Sequence, residues 1–250
     1  MSTWRHRMLG FQRASLVLAH CFALLSVLMV IIWIVNLGGL SWQQGQSKLV
    51  FNWHPLMMIV AFSFMTVASL SFRYRGLGTR KLAKLLHGIS WATAAVCLII
   101  GLIAVFRSHN DKVSGYIANL YSFHSWVGVL VITMYTIQFF AGLFSFGIAP
   151  PSVTPSFKAK MLQIHHFFGP VIYFAMLLTI MLGIQEKEGF VGCGYKVTEA
   201  DLTPWKNLDK IPVSCRLSHT AGLLVFLTGI CTMFALHQLD RSTHRQHVSF

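Results

Sequence analysis

The chain has 250 residues, 55% of them hydrophobic and only 11% charged, with a mean hydropathy of +0.62. A water-soluble domain carries about a quarter charged residues, so composition excludes an ordinary soluble fold. The net charge of +13 suggests nucleic acid at first sight, but the placement of the charges argues for a membrane instead.

Six apolar runs follow one another, at 15–37, 51–72, 85–106, 120–146, 161–184 and 217–236. Each is ~20 residues or longer with no Asp, Glu, Lys or Arg at its centre, the length that crosses about 30 Å of hydrocarbon. The expected architecture is all-α: an integral membrane six-helix bundle over 15–236, with tails at 1–14 and 237–250. Arg5, Arg7 and Arg13 precede the first run, which ends without a small-x-small cleavage site, so it reads as a retained helix rather than a cleaved signal.

Along the chain, Asn52-Trp53-His54-Pro55 opens the second helix, where a first-turn proline is tolerated. Gly76-Leu77-Gly78 punctuates the next loop, and 79–84 reads as an amphipathic extension of the third helix. Pro150, Pro151 and Pro155 are expected to break the chain between the fourth and fifth helices.

The N-terminus, second loop, fourth loop and C-terminus share one side. They hold Arg5, Arg7, Arg13, Arg73, Arg75, Arg80, Lys81, Lys84, Lys158, Lys160, Arg241 and Arg245 against one acid, Asp240. The other side carries eight bases and six acids: Asp111, Glu186, Glu188, Glu199, Asp201 and Asp209. The positive-inside rule then places both termini in the cytoplasm. The membrane itself reads as plasma membrane or that of an endosome, lysosome, vacuole or secretory vesicle. Anionic lipid is a secondary partner for the basic side, and no nucleic-acid partner is expected. Of five cysteines, Cys21, Cys97 and Cys231 sit in apolar helices. Cys193 and Cys215 flank the longest loop on the non-cytoplasmic side, where a disulfide is chemically allowed.

Most of the twelve histidines need no special role. His6, His244 and His247 lie in the tails and His237 at an inner helix end; His20 and His219 read as packing or hydrogen-bonding residues. His54, His87, His124 and His165 differ as a set. Each lies two to four residues inside its helix, ~3–6 Å along the axis. Successive helices reverse direction, so His54 and His124 share the outer level and His87 and His165 the inner. Zinc would require four ligands, and no carboxylate falls within these runs. Haem needs only two axial ligands, and two histidines leave no open position for oxygen, which favours electron transfer. Two haems at two levels would carry electrons across the bilayer.

The segments Phe51-Asn52-Trp53-His54-Pro55, Leu86-His87-Gly88, Tyr121-Ser122-Phe123-His124-Ser125-Trp126 and Gln163-Ile164-His165-His166-Phe167-Phe168-Gly169 closely resemble the cytochrome b561 family, over all six helices. The resemblance implies two non-covalent haem b groups between the central four helices, a homodimer, and ascorbate as cytoplasmic electron donor. The family's ligand pattern falls on His54 with His124 and on His87 with His165. His166 competes in the fifth helix, and the Ile-His-x-x-x-Gly alignment favours His165.

Ascorbate is a monoanion near neutral pH, so its site needs positive charge. Lys84 with Arg80 or Lys81 falls on nearly the same helical face as His87, and Lys158 and Lys160 precede His165. Resemblance to the family's basic site points to Lys84 and Arg80, with Lys81, Lys158, Arg73 and Tyr74 as further candidates. On the other side, His109 and Asn110 lie in the loop between the third and fourth helices, where a similar family histidine lies near the outer substrate and can contact a metal ion. The implied activity is that of an ascorbate-dependent transmembrane oxidoreductase, reducing monodehydroascorbate or a ferric chelate. The alternative is a histidine-using transporter of metal or small solutes, without haem.

Overall fold

A computed structural model describes residues 2–74, 79–148, 152–193 and 211–246, with side chains for 10–74, 79–148, 152–193 and 211–236. Arg75, Gly76-Leu77-Gly78, Pro150, Pro151, Glu199, Asp201, Asp209 and His247 lie outside the described residues. So do the side chains of Arg5, His6, Arg7, His237, Asp240, Arg241, His244 and Arg245.

Among the described residues seven α-helices follow in chain order: α1 (Ser2–Asn36), the short α2 (Ser47–Phe51), α3 (Trp53–Leu70), α4 (Arg80–His109), α5 (Phe123–Gly142), α6 (Pro155–Val191) and α7 (Val213–Gln246). A 3-10 turn over Ser71–Arg73 closes α3, and a π-helical turn over Leu143–Gly147 closes α5. Among the described residues six segments, one in each long helix, are long and apolar enough to cross a membrane. Large apolar side chains such as Leu24, Ile99, Leu130, Ile137 and Leu223 point outward, as they do where the surrounding solvent is lipid.

The helices outrun the apolar stretches. α1 begins at Ser2 and α7 continues to Gln246, so both tails are helical over their described parts. α6 has 37 residues because Gln185-Glu186-Lys187-Glu188 continues the turns past the apolar run. Polar residues of this kind are good helix formers; hydropathy marks where the lipid ends, not where the helix does. At the other end of α6, Pro155 starts the helix instead of breaking the chain. It occupies the first turn, and the Thr154 hydroxyl accepts a hydrogen bond from the Phe157 amide, a position where proline's missing N–H is no loss. The fourth apolar run becomes helical only at Phe123, after Leu120 at φ 56° and a Ser122 cap.

α1 packs on α7 and α3, α3 on α4, and α5 on α6. Between the central helices Tyr173 is buried and stacks on Phe62 at 5.0 Å, while its hydroxyl meets Thr66 Oγ1 (2.8 Å) and Thr232 Oγ1 (3.1 Å). The Tyr135 hydroxyl donates to the Trp91 carbonyl across α5 and α4 (2.6 Å). Interhelical hydrogen bonds of this kind contribute about 0.6 kcal/mol each, and the close packing of the interior supplies the rest. Cys193 and Cys215 form a disulfide that ties the end of α6 to the start of α7. That end is called the disulfide end below, and the end holding Arg80 and Lys158 the basic end.

Candidate functional site

His54 and His124 stand second in α3 and α5, but His87 is the eighth residue of α4 and His165 the eleventh of α6, deeper than the expected two to four because these helices begin before their apolar runs. The Thr79 hydroxyl accepts from the Leu82 amide to begin α4, which carries His87. The Ser122 hydroxyl accepts from the Ser125 amide to begin α5, placing His124 second in the helix. Asn52, before Trp53 and His54, makes no capping side-chain bond, whereas Thr154 caps α6, which carries His165, in the same way as Thr79 and Ser122. Such caps satisfy amides that the first turn leaves without partners.

The structure brings the four into two pairs. The ring centres of His54 and His124 are 6.1 Å apart at the disulfide end, and those of His87 and His165 are 6.0 Å apart at the basic end. His166 is exposed and turned away from His87's partner position, which His165 fills.

Three of these imidazoles are oriented by a backbone carbonyl of the adjacent helix. His54 Nδ1 lies 3.1 Å from the Gly101 oxygen, His87 Nδ1 2.9 Å from that of Ala68, and His124 Nδ1 3.0 Å from that of Thr179. A carbonyl can only accept, so Nδ1 carries the proton and Nε2 keeps its lone pair, the form in which a histidine ligates a metal. His165 is held through its main chain, where its carbonyl accepts from Gln138 Nε2 at 2.9 Å. The engaged positions stand fourteen residues apart in every central helix: 54 and 68, 87 and 101, 124 and 138, 165 and 179. At about 1.5 Å per residue the two levels are roughly 21 Å apart, within the ~30 Å of a bilayer core.

The residues fit a bis-imidazole cofactor. An imidazole nitrogen sits about 2 Å from a first-row metal and roughly 1 Å from its own ring centre, so two rings flanking one metal have centres about 6 Å apart. Among the described residues no group of three His, Cys, Asp or Glu side chains gathers to hold a bare ion. Glycines line the approach to both pairs. A Cβ on Gly183 would stand 2.8 Å from His124 Cε1, and one on Gly142 3.4 Å from His165 Cε1. The π-helical turn after Gly142 brings Phe146 to 5.9 Å from the His165 ring, and Phe72 lies 5.4 Å from His87.

At the basic end Arg80, Lys81 and Lys84 are exposed on the first turns of α4, and Lys158 is half-buried on the first turn of α6. Arg73 Nη2 donates to the Leu236 carbonyl (3.2 Å). The Tyr74 hydroxyl lies 2.5 Å from Nε2 of His20, whose Nδ1 donates to the Leu16 carbonyl. Nε2 therefore accepts, and Tyr74 donates. Burial pushes the Tyr74 phenol up to about 12, so it stays protonated.

At the disulfide end His109 is the last residue of α4, not a loop residue, and Asn110 caps the helix with its amide on the Phe106 carbonyl. Phe51 stacks on His109 (6.3 Å, 10°) and lies 5.8 Å from His54, so one ring separates the two histidines. Inspection of the sequence misses three participants here. They are Asn52, fully buried with its Nδ2 on the Gly39 carbonyl (2.8 Å), the buried Lys187, and Glu186, which accepts from the Ser122 hydroxyl (2.9 Å).

Two histidine pairs at opposite ends of a bundle with six candidate spans define a class: a multi-pass membrane protein with a facing imidazole pair at each of two levels. Comparison with known proteins gives the family. Residues 53–191 match the model of eukaryotic cytochrome b561. The chain is 33% identical over 220 residues to a probable ascorbate-specific transmembrane electron transporter of Oryza sativa subsp. japonica, covering 87% of this chain and 86% of that one. It is 33% identical over 178 residues to a transmembrane ascorbate ferrireductase of Arabidopsis thaliana (70% and 72%). It is 35% identical over 219 residues to a plasma membrane ascorbate-dependent reductase of Mus musculus (86% and 69%). The chain belongs to the cytochrome b561 family.

Proposed function

We propose that this transmembrane oxidoreductase moves single electrons from cytoplasmic ascorbate at the basic end to monodehydroascorbate or a ferric chelate at the disulfide end. It acts as a homodimer with two haem b groups per chain, held by His54 with His124 and by His87 with His165. Bound haem supplies the one-electron couple, which is the cofactor's own chemistry; the protein's residues supply everything else. The observation that carries the reading is the pair of 6 Å imidazole spacings, with Nδ1 carbonyl bonds on His54, His87 and His124 that leave Nε2 available.

Arg80, Lys81, Lys84 and Lys158 hold the anionic donor. They stand at helix N-termini, where the backbone already presents partial positive charge, so each adds to a field that attracts ascorbate. Arg73 and Tyr74 border that site and fasten it: one binds the α7 carbonyl of Leu236, the other the α1 histidine His20. Between the two levels Phe62, Met65, Tyr173, Met176 and Leu177 are buried and keep water from the path. His109 and Asn110 border the acceptor side, next to Phe51. Two features support the orientation. A disulfide belongs to an oxidising compartment, and the excess of basic residues belongs to the cytoplasmic side.

Proteoliposomes loaded with ascorbate test the reading, with ferric citrate or monodehydroascorbate outside. Reduction of the external acceptor, dependent on His54 and His87, supports it. A colourless purified protein that moves a metal or solute without haem contradicts it and favours a transporter. The continuous α3, α4 and α6 lack the broken helices at mid-membrane that transporters use.

A further inference from the structure

Lys187 is the one lysine or arginine in the buried set among the described residues. It stands on α6 four residues beyond Gly183, which faces His124, and so projects on the same side of the helix. Its Nζ donates to Asn52 Oδ1 at 3.1 Å and sits 4.5 Å from the centre of the Phe51 ring, the same ring that touches His54 and His109.

Its neighbours in sequence are acids, but neither pairs with it. Glu186 accepts from Ser122, while Glu188 accepts from Ser218 (2.5 Å) and lies 3.4 Å from His219. An ammonium has three N–H donors, and Asn52 takes one. A buried cation without an anion is costly, and a lysine that only reached for headgroups would carry its nitrogen into water. Lys48 adds a second positive charge within electrostatic range. The surroundings therefore favour an anion.

We propose that Lys187 is the anion-holding residue of the disulfide-end site. Its remaining N–H donors take a carboxylate or enolate oxygen, belonging either to the cofactor's own carboxylate edge or to an anionic acceptor. The proposal rests on the reading of His54 and His124 as ligands, and it makes Lys187 a positioning and tuning residue rather than a ligand.

The test uses full-length holoprotein with Lys187→Gln and Lys187→Arg. Redox titration in detergent, followed by visible absorbance, reads the first source. If the cofactor's carboxylate is the anion, Lys187→Gln changes the midpoint of one of two couples, leaves the other unchanged, and Lys187→Arg stays close to wild type. Ascorbate-loaded proteoliposomes read the second source. If the acceptor is the anion, Lys187→Gln raises KM for ferric citrate roughly tenfold while KM for cationic hexaammineruthenium(III) does not rise. Loss of one haem in Lys187→Gln but not in Lys187→Arg also supports the role of charge. Loss in both overturns it, because shape rather than charge would then be what the position requires. Unchanged midpoints and unchanged KM for both acceptors, with two haems retained, overturn it as well. Failure of the underlying ligand reading looks different: His54→Ala then keeps both haems.

Discussion

The Nδ1 atom of His54 lies 3.1 Å from the carbonyl oxygen of Gly101, fourteen residues along α4 from His87. That bond fixes the His54 tautomer, and through α4 it ties the placement of one level to the other. Ala68 does the reciprocal work from α3, accepting from His87. Each helix of the α3–α4 hairpin thus holds its own histidine and orients its neighbour's. In the second hairpin Thr179 orients His124 in the same way, whereas Gln138 donates to the main-chain carbonyl of His165.

Space beside the rings is as constrained as their orientation. Gly183→Ala would set a Cβ 2.8 Å from His124 Cε1, and overpacking of this kind costs about 1–3 kcal/mol. Haem retention at the disulfide end is expected to fall roughly tenfold or more, while Gly142→Ala, with a 3.4 Å contact, is tolerated. Haem per protein after detergent dilution reads the difference, and equal retention in both variants would refute it.

Lys84→Ala and Arg80→Ala are expected to raise KM for ascorbate about tenfold each, the loss of one hydrogen bond to a charged group. Their absorption spectra should match the wild type. Steady-state kinetics with ascorbate against a neutral donor provide the check; an equal effect on both donors would point to a fold defect instead.

The Cys193–Cys215 bridge has a sequence separation of 22. A closed loop of that size stabilises by about 3 kcal/mol, chiefly through the unfolded chain. Cys215→Ser should lower the thermal unfolding temperature, followed by haem absorbance, with both haems still bound at 25 °C. Unchanged melting would show that the bridge is absent from the working protein.

Asp111 gives the disulfide end a pH dependence of known sign. The Val113 amide holds its carboxyl below the usual carboxylate range, helped by the Gly45 amide and by Ser114, against desolvation. A lowered native value means that the contribution is complete above the ordinary Asp range, near pH 4. It is lost as pH falls through the lower native value. Exchange protection of the Gly45 and Val113 amides should therefore decline only in acid, and Asp111→Asn should flatten that dependence. Protection of the Asn variant that still declines with acid would assign the effect elsewhere.

The helices, the two levels and the basic side were legible in the sequence, because apolar length, place within an apolar run and loop charge are properties of side chains. The distance of His87 and His165 from their helix starts was not, because α4 and α6 begin before the apolar runs. The orienting partners were not. Gly101, Ala68 and Thr179 act through carbonyl oxygens that every residue possesses, so no residue type announces them. Lys187 was hidden for a different reason: within Glu186-Lys187-Glu188 it reads as a solvated helix end, and only packing against Phe51 and Asn52 reveals it as buried. The placement of His109 in a loop failed because its helix outruns the apolar run by three residues, ending with a cap at Asn110. His20, read as a packing or hydrogen-bonding residue, makes hydrogen bonds to the Leu16 carbonyl and to Tyr74, a partner 54 residues away that the sequence could not name.

The most direct measurement is haem stoichiometry in paired variants of the purified protein. If His54 with His124 and His87 with His165 are the two ligand sets, His54→Ala/His124→Ala retains one haem and His87→Ala/His165→Ala retains the other. His54→Ala/His87→Ala, which breaks both levels, retains none, and His166→Ala keeps two. One haem surviving in His54→Ala/His87→Ala, or none in His54→Ala/His124→Ala, would contradict the pairing.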